Sequence, residues 1–212
     1  GVFNVVQGYG GDSAGAFLTA HPDVDGYTFT GETRTGELIM QNAAKGVRDI
    51  SLELGGKNAG IVFADCDMDK AIEGTMRSAF ANCGQVCLGT ERVYVERSIF
   101  DEFVSRLKTE AEKLVIGPPD DATANLGPLI SQKQRDKVLS YYQQAVNDGA
   151  TIVTGGGIPD MPDALKNGSW IQPTIWTGLN DDSAVINEEI FGPCCHIQPF
   201  DSEEEAIEQA NR

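Results

Sequence analysis

Polar and apolar positions follow two periods along this chain. From Asp49 to Leu54 the period is two: Ile50, Leu52 and Leu54 share one face, and Asp49, Ser51 and Glu53 the other, which predicts a half-buried strand. Gly1–Val6, Tyr27–Thr30, Ala59–Phe63, Arg92–Val95 and Thr151–Thr154 are predicted as further strands, with Ala59–Phe63 apolar enough to be buried. Between them the apolar spacing changes to three and four. That spacing predicts a short helix near Asp12–Thr19 and a helix from Gly31 to about Lys45, with Gly46 at its C-terminal cap. A third helix, capped by Asp67, carries Ala71, Ile72, Thr75 and Ala79 on one face. Ser98 with Asp101 reads as a capping box before Phe103, Leu107, Ala111 and Leu114. Ser131 to Asp148 is a helix ended by Gly149, and Ser202 with Glu205 caps a last one. Gly155–Gly157 opens an irregular stretch to Gly168, followed by a strand pair near Trp170–Trp176 and His196–Phe200. Strands alternating with helices predict an α/β protein with parallel pairing.

Gly55-Gly56 divides the chain into a first block, residues 1–55, and a second, residues 56–212. The sequence opens without Met on a strand already under way and stops in a helical pattern, so it reads as a fragment of a longer protein.

Charge removes several classes of function. The chain holds 16 basic and 32 acidic residues in 212, a net charge of −16. Nucleic acid and anionic membranes both call for Lys and Arg, so neither is expected as a partner. Glu203-Glu204-Glu205 reads as the solvated first turn of a helix. No apolar run approaches the ~18 residues of a membrane span. The five cysteines are odd in number and irregularly spaced, which suggests a reducing, cytoplasmic setting. His21 and His196 are too isolated for a zinc site, and no metal is expected.

Four segments carry candidate chemistry, and each also has an ordinary structural reading. Phe29-Thr30-Gly31-Glu32-Thr33 is a strand-glycine-helix turn that could offer helix N–H groups to a phosphate, though most such turns are only turns. Gly8, Gly10 and Gly15 fall short of a complete dinucleotide fingerprint. Leu52-Glu53-Leu54-Gly55-Gly56-Lys57 places a carboxylate at a strand end beside two glycines; alone, it is a surface Glu before a turn. Gly84-Gln85-Val86-Cys87-Leu88-Gly89 sets an uncrowded cysteine between a helix and a strand, where its N–H could serve an oxyanion. Cys66, Cys194 and Cys195 read as structural thiols, and the four-residue spacing of Cys83 and Cys87 as a last helical turn. Glu188-Glu189-Ile190-Phe191-Gly192-Pro193 could bind ribose hydroxyls and a nicotinamide ring, or be a helix start and a core Phe.

Taken in order, E-L-G-G-K, G-Q-x-C-x-x-x-x-R and E-I-F-G-P resemble the aldehyde dehydrogenase superfamily. G-x-x-N-V-V-x-G at Gly1–Gly8 and F-T-G at Phe29–Gly31 fit as well, so the resemblance covers the whole chain. It implies the end of a Rossmann-type NAD(P)-binding domain in residues 1–55 and most of an α/β catalytic domain in residues 56–212. It implies Cys87 as nucleophile and Glu53 as general base. Glu189 would hold the nicotinamide ribose and Phe191 would lie beside it. Gly31 and Glu32 would meet the pyrophosphate, Gly8 and Gly15 would line the adenine side, and Leu54 and Gly55 would lie under the nicotinamide. Many relatives have Ser where this chain has Glu32, whose charge would repel a phosphate, so only backbone donors are expected there. The resemblance also implies NAD, with NADP open, an aldehyde as substrate, and a homodimer or homotetramer. A second oxyanion donor, an Asn, would lie outside these residues.

Phe29–Gly36, Cys83–Arg97, Gly155–Met161 and Gly192–Ala206 resemble more closely the bacterial dehydrogenases of 2-hydroxymuconic and 2-aminomuconic semialdehydes. Betaine or aliphatic aldehydes, or an acylating relative that passes its thioester to coenzyme A, are the alternatives. A binding protein on an inactive scaffold is a further one, disfavoured by the presence of both Cys87 and Glu53.

Overall fold

A computed structural model describes residues 1–212, which form two compact units, Gly1–Gly55 and Gly56–Arg212. The first unit holds α1 (Ala14–Ala20), β1 (Gly26–Thr30), α2 (Thr33–Ala44) and β2 (Asp49–Glu53). β1 and β2 pair in parallel from Gly26↔Asp49 to Thr30↔Glu53, and the β2 side chains alternate as the sequence pattern requires. Gly1–Val6 is not a strand. Val2, Phe3, Val5 and Val6 are all exposed, and the two-stranded sheet gives this segment no ladder to join. The end of α2 also departs from expectation. Arg48 N–H bonds back to Ala43 C=O at 3.1 Å, and the residue that turns left-handed is Val47 (φ 51°), not Gly46. A six-to-one closure needs its left-handed residue one place later than the glycine stands.

The second unit contains β3 (Asn58–Val62), α3 (Met68–Phe80), β4 (Thr90–Glu96), α4 (Phe100–Ala111), α5 (Gln132–Asn147), β5 (Thr151–Thr154), β6 (Thr174–Thr177), α6 (Ala184–Asn187), β7 (Cys194–Phe200) and α7 (Glu203–Asn211). Its sheet runs β3-β4-β7-β6-β5, so the last strand in the chain enters the middle. All pairs are parallel except β5–β6, where the edge strand β5 runs antiparallel with a register shift. β3 is an edge strand and not the buried strand its apolar sequence suggests; Ile61 and Phe63 stay partly exposed. β4 alternates between two cores. Val93 and Val95 join the large cluster with Ile72, Phe80, Phe103, Leu107 and Val138, while Tyr94 packs with Phe200 and Ala206 of α7.

Side-chain caps open α3, α5 and α7. Asp67, Ser131 and Ser202 accept from the N–H groups of Lys70, Gln134 and Glu205. Ser98 does not cap α4. A 3-10 turn over Arg97–Ile99 intervenes, α4 begins at Phe100, and Ser98 Oγ donates to Glu96 instead.

His196, on β7, is buried, and its Nε2 accepts from Leu179 N–H at 3.1 Å. Burial pushes its pKa down to about 4, against a raising influence from Asp181. Above pH ~6.5 the ring is neutral both folded and unfolded, and it contributes no pH dependence. As pH falls from there toward 4, the unfolded ring takes a proton that the folded one refuses, so stability drops by about 3 kcal/mol in all. Urea unfolding of wild type and His196→Gln at pH 7 and pH 4.5 checks this. The stability gap between them should shift in favour of the variant at the lower pH; a gap independent of pH defeats the prediction.

Candidate active site

The sequence-predicted residues fall into two clusters, one in each unit. In the first unit, Gly31 and Glu53 lie side by side at the C-terminal ends of β1 and β2, where Gly31 N–H donates to Glu53 C=O at 3.0 Å. The Glu53 side chain is exposed. Glu32 precedes α2 at its N-cap position but makes no capping bond with its side chain. Leu54 is half-buried beneath α2, where a Cβ on Gly36 would lie 2.6 Å from Leu54 Cδ2, so the leucine side chain packs directly on the glycine. Gly55 is half-buried at the end of the unit. Gly8 and Gly15 flank a loop folded onto α1: Tyr9 N–H donates to Ser13 Oγ, and Gly15 N–H to Tyr9 C=O.

In the second unit the cluster sits at the N-terminal ends of the neighbouring strands β3, β4 and β7. Cys87 lies exposed on a tight turn closed by Gly89 N–H on Val86 C=O at 2.8 Å. The approach to this turn is not right-handed helix. Asn82, Cys83 and Gly84 all have left-handed φ of 50°, 55° and 69°, so Cys83 and Cys87 are not neighbours on one helical face. Cys83 points inward and donates to Gly127 C=O. Gln85 ties the turn down by accepting from Ile130 N–H at 3.0 Å. Cys87 N–H has no partner within the chain. Of the other thiols, Cys66 is half-buried, and burial pushes the pKa of Cys83 and Cys194 up and that of Cys195 up to about 12.

Glu189 and Phe191 lie in an irregular segment before β7, both half-buried, with Phe191 left-handed at φ 59°. Side chains supply the hydrogen bonds that no ladder can supply there. Lys57 Nζ donates to Glu188 C=O (2.6 Å), Lys137 Nζ to Glu189 C=O (2.9 Å), and Gln134 Nε2 to Phe191 C=O (2.8 Å). Glu91 accepts from the N–H groups of Ile190 (3.1 Å) and Phe191 (2.8 Å) and pairs with Lys57. Tyr141 OH donates to Glu188 Oε2 at 2.6 Å; burial, aided by that carboxylate, pushes its pKa well up.

The tripeptide Gly56-Lys57-Asn58 joins the two motifs. Gly56 N–H donates to Glu189 Oε1 (3.2 Å), Lys57 reaches Glu188 and Glu91, and Asn58 Nδ2 donates to the carbonyls of Cys87 (2.6 Å) and Gly89 (3.0 Å). Arg92 fixes Lys57 in turn, through two bonds to its carbonyl, and binds the Ala210 carbonyl at the end of α7. Gly84 and Gly192 bring the motifs into backbone contact. The roles of Asn58, Lys57, Glu91 and Arg92 are not evident in the motifs. One signal points to them: Glu91-Arg92 opens a strand continuing as Val93-Tyr94-Val95, and charges entering so apolar a strand require partners.

The second unit thus presents an exposed thiol on a braced turn, with a free main-chain N–H, and the Glu189 segment tied to the same three residues. The chain belongs to the aldehyde dehydrogenase family, whose sequence model matches residues 1–212. It is 80% identical over its full length to the 2-hydroxymuconic semialdehyde dehydrogenase of Pseudomonas putida, and 54% identical to a 2-aminomuconic 6-semialdehyde dehydrogenase of a Pseudomonas species. The chain spans 43% of the length of each. Among solved structures, betaine aldehyde dehydrogenase from Staphylococcus aureus in complex with NAD+ superposes with a TM-score of 0.93 at 39% identity, covering 97% of this chain and 40% of that one. Aldehyde dehydrogenase from Bacillus cereus gives 0.92 at 38% identity, with the same coverage. The aldehyde dehydrogenase fold expected from the motifs is therefore present. No helix is long and apolar enough to cross a membrane.

Proposed function

We propose that the whole protein oxidises 2-hydroxymuconate semialdehyde to the dicarboxylate with NAD, a step of aromatic meta-cleavage catabolism. What supports the substrate is identity of 80% and 75%, over the 43% of their length that this chain spans, to two Pseudomonas proteins named for that activity, against 54% to the aminomuconic relative. NADP is the alternative cofactor; the S. aureus relative was solved with NAD+. In this reading residues 1–55 close the cofactor domain and residues 56–212 form most of the catalytic domain. The residues fit the cofactor: Glu189 commits one oxygen to Gly56 N–H and keeps the other free for ribose hydroxyls. Glu189 and Phe191 would hold the nicotinamide ribose, Gly31 and Glu32 the pyrophosphate through backbone N–H groups, Gly8 and Gly15 the adenine side, and Leu54 and Gly55 the nicotinamide face.

Cys87 thiolate attacks the aldehyde carbon, and its own N–H donates to the resulting oxyanion. The nicotinamide, when bound, supplies the acceptor for the hydride that leaves the former aldehyde carbon. Glu53 takes a proton from water, whose oxygen attacks the thioester carbon; the C–S bond breaks, the acid leaves and the Cys87 thiolate is restored. All five cysteines are unpaired, and a thiol nucleophile calls for a reducing compartment, which supports a cytoplasmic location. The homodimer or homotetramer implied by the family is part of the same proposal.

The substrate's carboxylate, which acetaldehyde lacks, can form a charge-assisted pair worth about 1.5–3 kcal/mol, or roughly ten- to a hundredfold in specificity. In the whole protein, kcat/KM for 2-hydroxymuconate semialdehyde should exceed that for acetaldehyde by at least this ratio. Equal efficiency on the two overturns the substrate assignment while leaving the dehydrogenase reading in place.

A further inference from the structure

Glu91 sits at the start of β4 with 8% of its surface exposed, and both of its oxygens are occupied. Oε1 accepts from Phe191 N–H, and Oε2 from Ile190 N–H and from the Lys57 ammonium, which also holds the Glu188 carbonyl. The two N–H groups belong to a stretch whose left-handed Phe191 prevents strand pairing, so nothing else in the chain satisfies them. A buried carboxylate that accepts two consecutive main-chain donors fixes the peptide plane between them, and with it the residues on either side. Those residues are Glu189, one peptide upstream, and Phe191 itself. A purely stabilising ion pair would need only Lys57; the two backbone contacts aim the pair at one loop.

We infer that Glu91 is a positioning residue that sets the Glu189 carboxylate and the Phe191 ring for the cofactor. This rests on the reading that Glu189 holds the nicotinamide ribose. Glu91 touches neither substrate nor cofactor and acts through the main chain of residues 189–191. Asn58 and Gly56 brace the neighbouring parts of the site from the same three-residue stretch as Lys57, so loss of Glu91 disturbs the cofactor side and leaves the Cys87 turn held.

The test uses the whole protein with NAD as the probe: the dissociation constant for NAD, KM for NAD and for aldehyde, and Tm, in Glu91→Gln, Glu91→Asp, Glu189→Gln and the double variant Glu91→Gln/Glu189→Gln. Glu189→Gln should weaken NAD about tenfold or more, the scale of one charge-assisted contact. Glu91→Gln should weaken NAD to a similar degree with KM for aldehyde little changed, and Glu91→Asp, which keeps the charge but withdraws it by one methylene, should fall between. The double variant should bind NAD no worse than the poorer single variant, because both act through one contact. If Glu91→Gln does not fold, Glu91→Asp with Glu189→Gln completes the cycle. Multiplying losses in the double variant, or wild-type NAD affinity in folded Glu91 variants beside an impaired Glu189→Gln, overturns the inference alone. Wild-type affinity in Glu189→Gln instead brings down the reading of the ribose segment and this inference with it.

Discussion

Cys87→Ala in the whole protein will abolish aldehyde-dependent NAD reduction and leave NAD binding and Tm close to wild type. The side chain is exposed on its turn, and the contacts that hold the turn run through the Cys87 and Gly89 carbonyls and Gln85, none of which the substitution removes. What disappears is the covalent step. The buried thiols of Cys83, Cys194 and Cys195 cannot take it over, since burial raises their pKa and encloses them. A loss of at least about a hundredfold, ~3 kcal/mol in the barrier, is the minimum expected. Glu53→Gln gives the contrast: the first turnover should still produce a burst of reduced cofactor, followed by a poor steady state, because only thioester hydrolysis needs the base. A Cys87→Ala enzyme within a hundredfold of wild type would move the nucleophile elsewhere.

Gly84→Ala will be the most damaging single methyl group in the chain. Its Cβ would stand 1.9 Å from Gly192 C=O and 2.3 Å from the carbonyl carbon, both backbone atoms, at a φ of 69° that disfavours any side chain. Left-handed strain alone costs about 1 kcal/mol. The overlap adds the cost of parting two braced segments, one carrying Cys87 and the other Glu189. A destabilisation of about 4 kcal/mol or more is expected, with activity lost in whatever fraction remains folded. Gly74→Ala is the control: its Cβ on α3 meets nothing within 4 Å, and the variant should gain up to about 1 kcal/mol of helix stability. Denaturant unfolding of the two variants measures both effects, and near-wild-type stability in Gly84→Ala would contradict the close approach.

The motif strings were legible because each is local in sequence. Cys87, Glu53, Glu189 and Phe191 could be named from short strings, and the alternation at Asp49–Leu54 gave a strand in the right phase. What brings Cys87 and Glu189 together was not legible, since each tie crosses a long stretch of chain: Gly56 to Glu189, Asn58 to Cys87, Glu91 to Phe191. No periodicity reports a pair so separated. Local errors share a different cause. Gly1–Val6 has strand residues without a strand to pair with, Ser98 has a capping residue's chemistry one residue ahead of the N-cap, Ile99, and Val47 takes the left-handed position that composition assigns to a glycine. In each case geometry set by neighbouring segments overrode a sound local preference.

β7 enters the middle of its sheet last, pairing with β4 from about a hundred positions downstream, and such distant closures are slow. The ribosome therefore delivers the Cys87 thiol long before the segments that surround it. A nascent chain that ends short of Glu189 has Cys87 but no Glu189 segment for Gly56 to hold and no Gly192 backbone against Gly84. The arrangement around Cys87 is withheld until synthesis has passed Gly192, so a chain interrupted before that point carries the thiol without its neighbours.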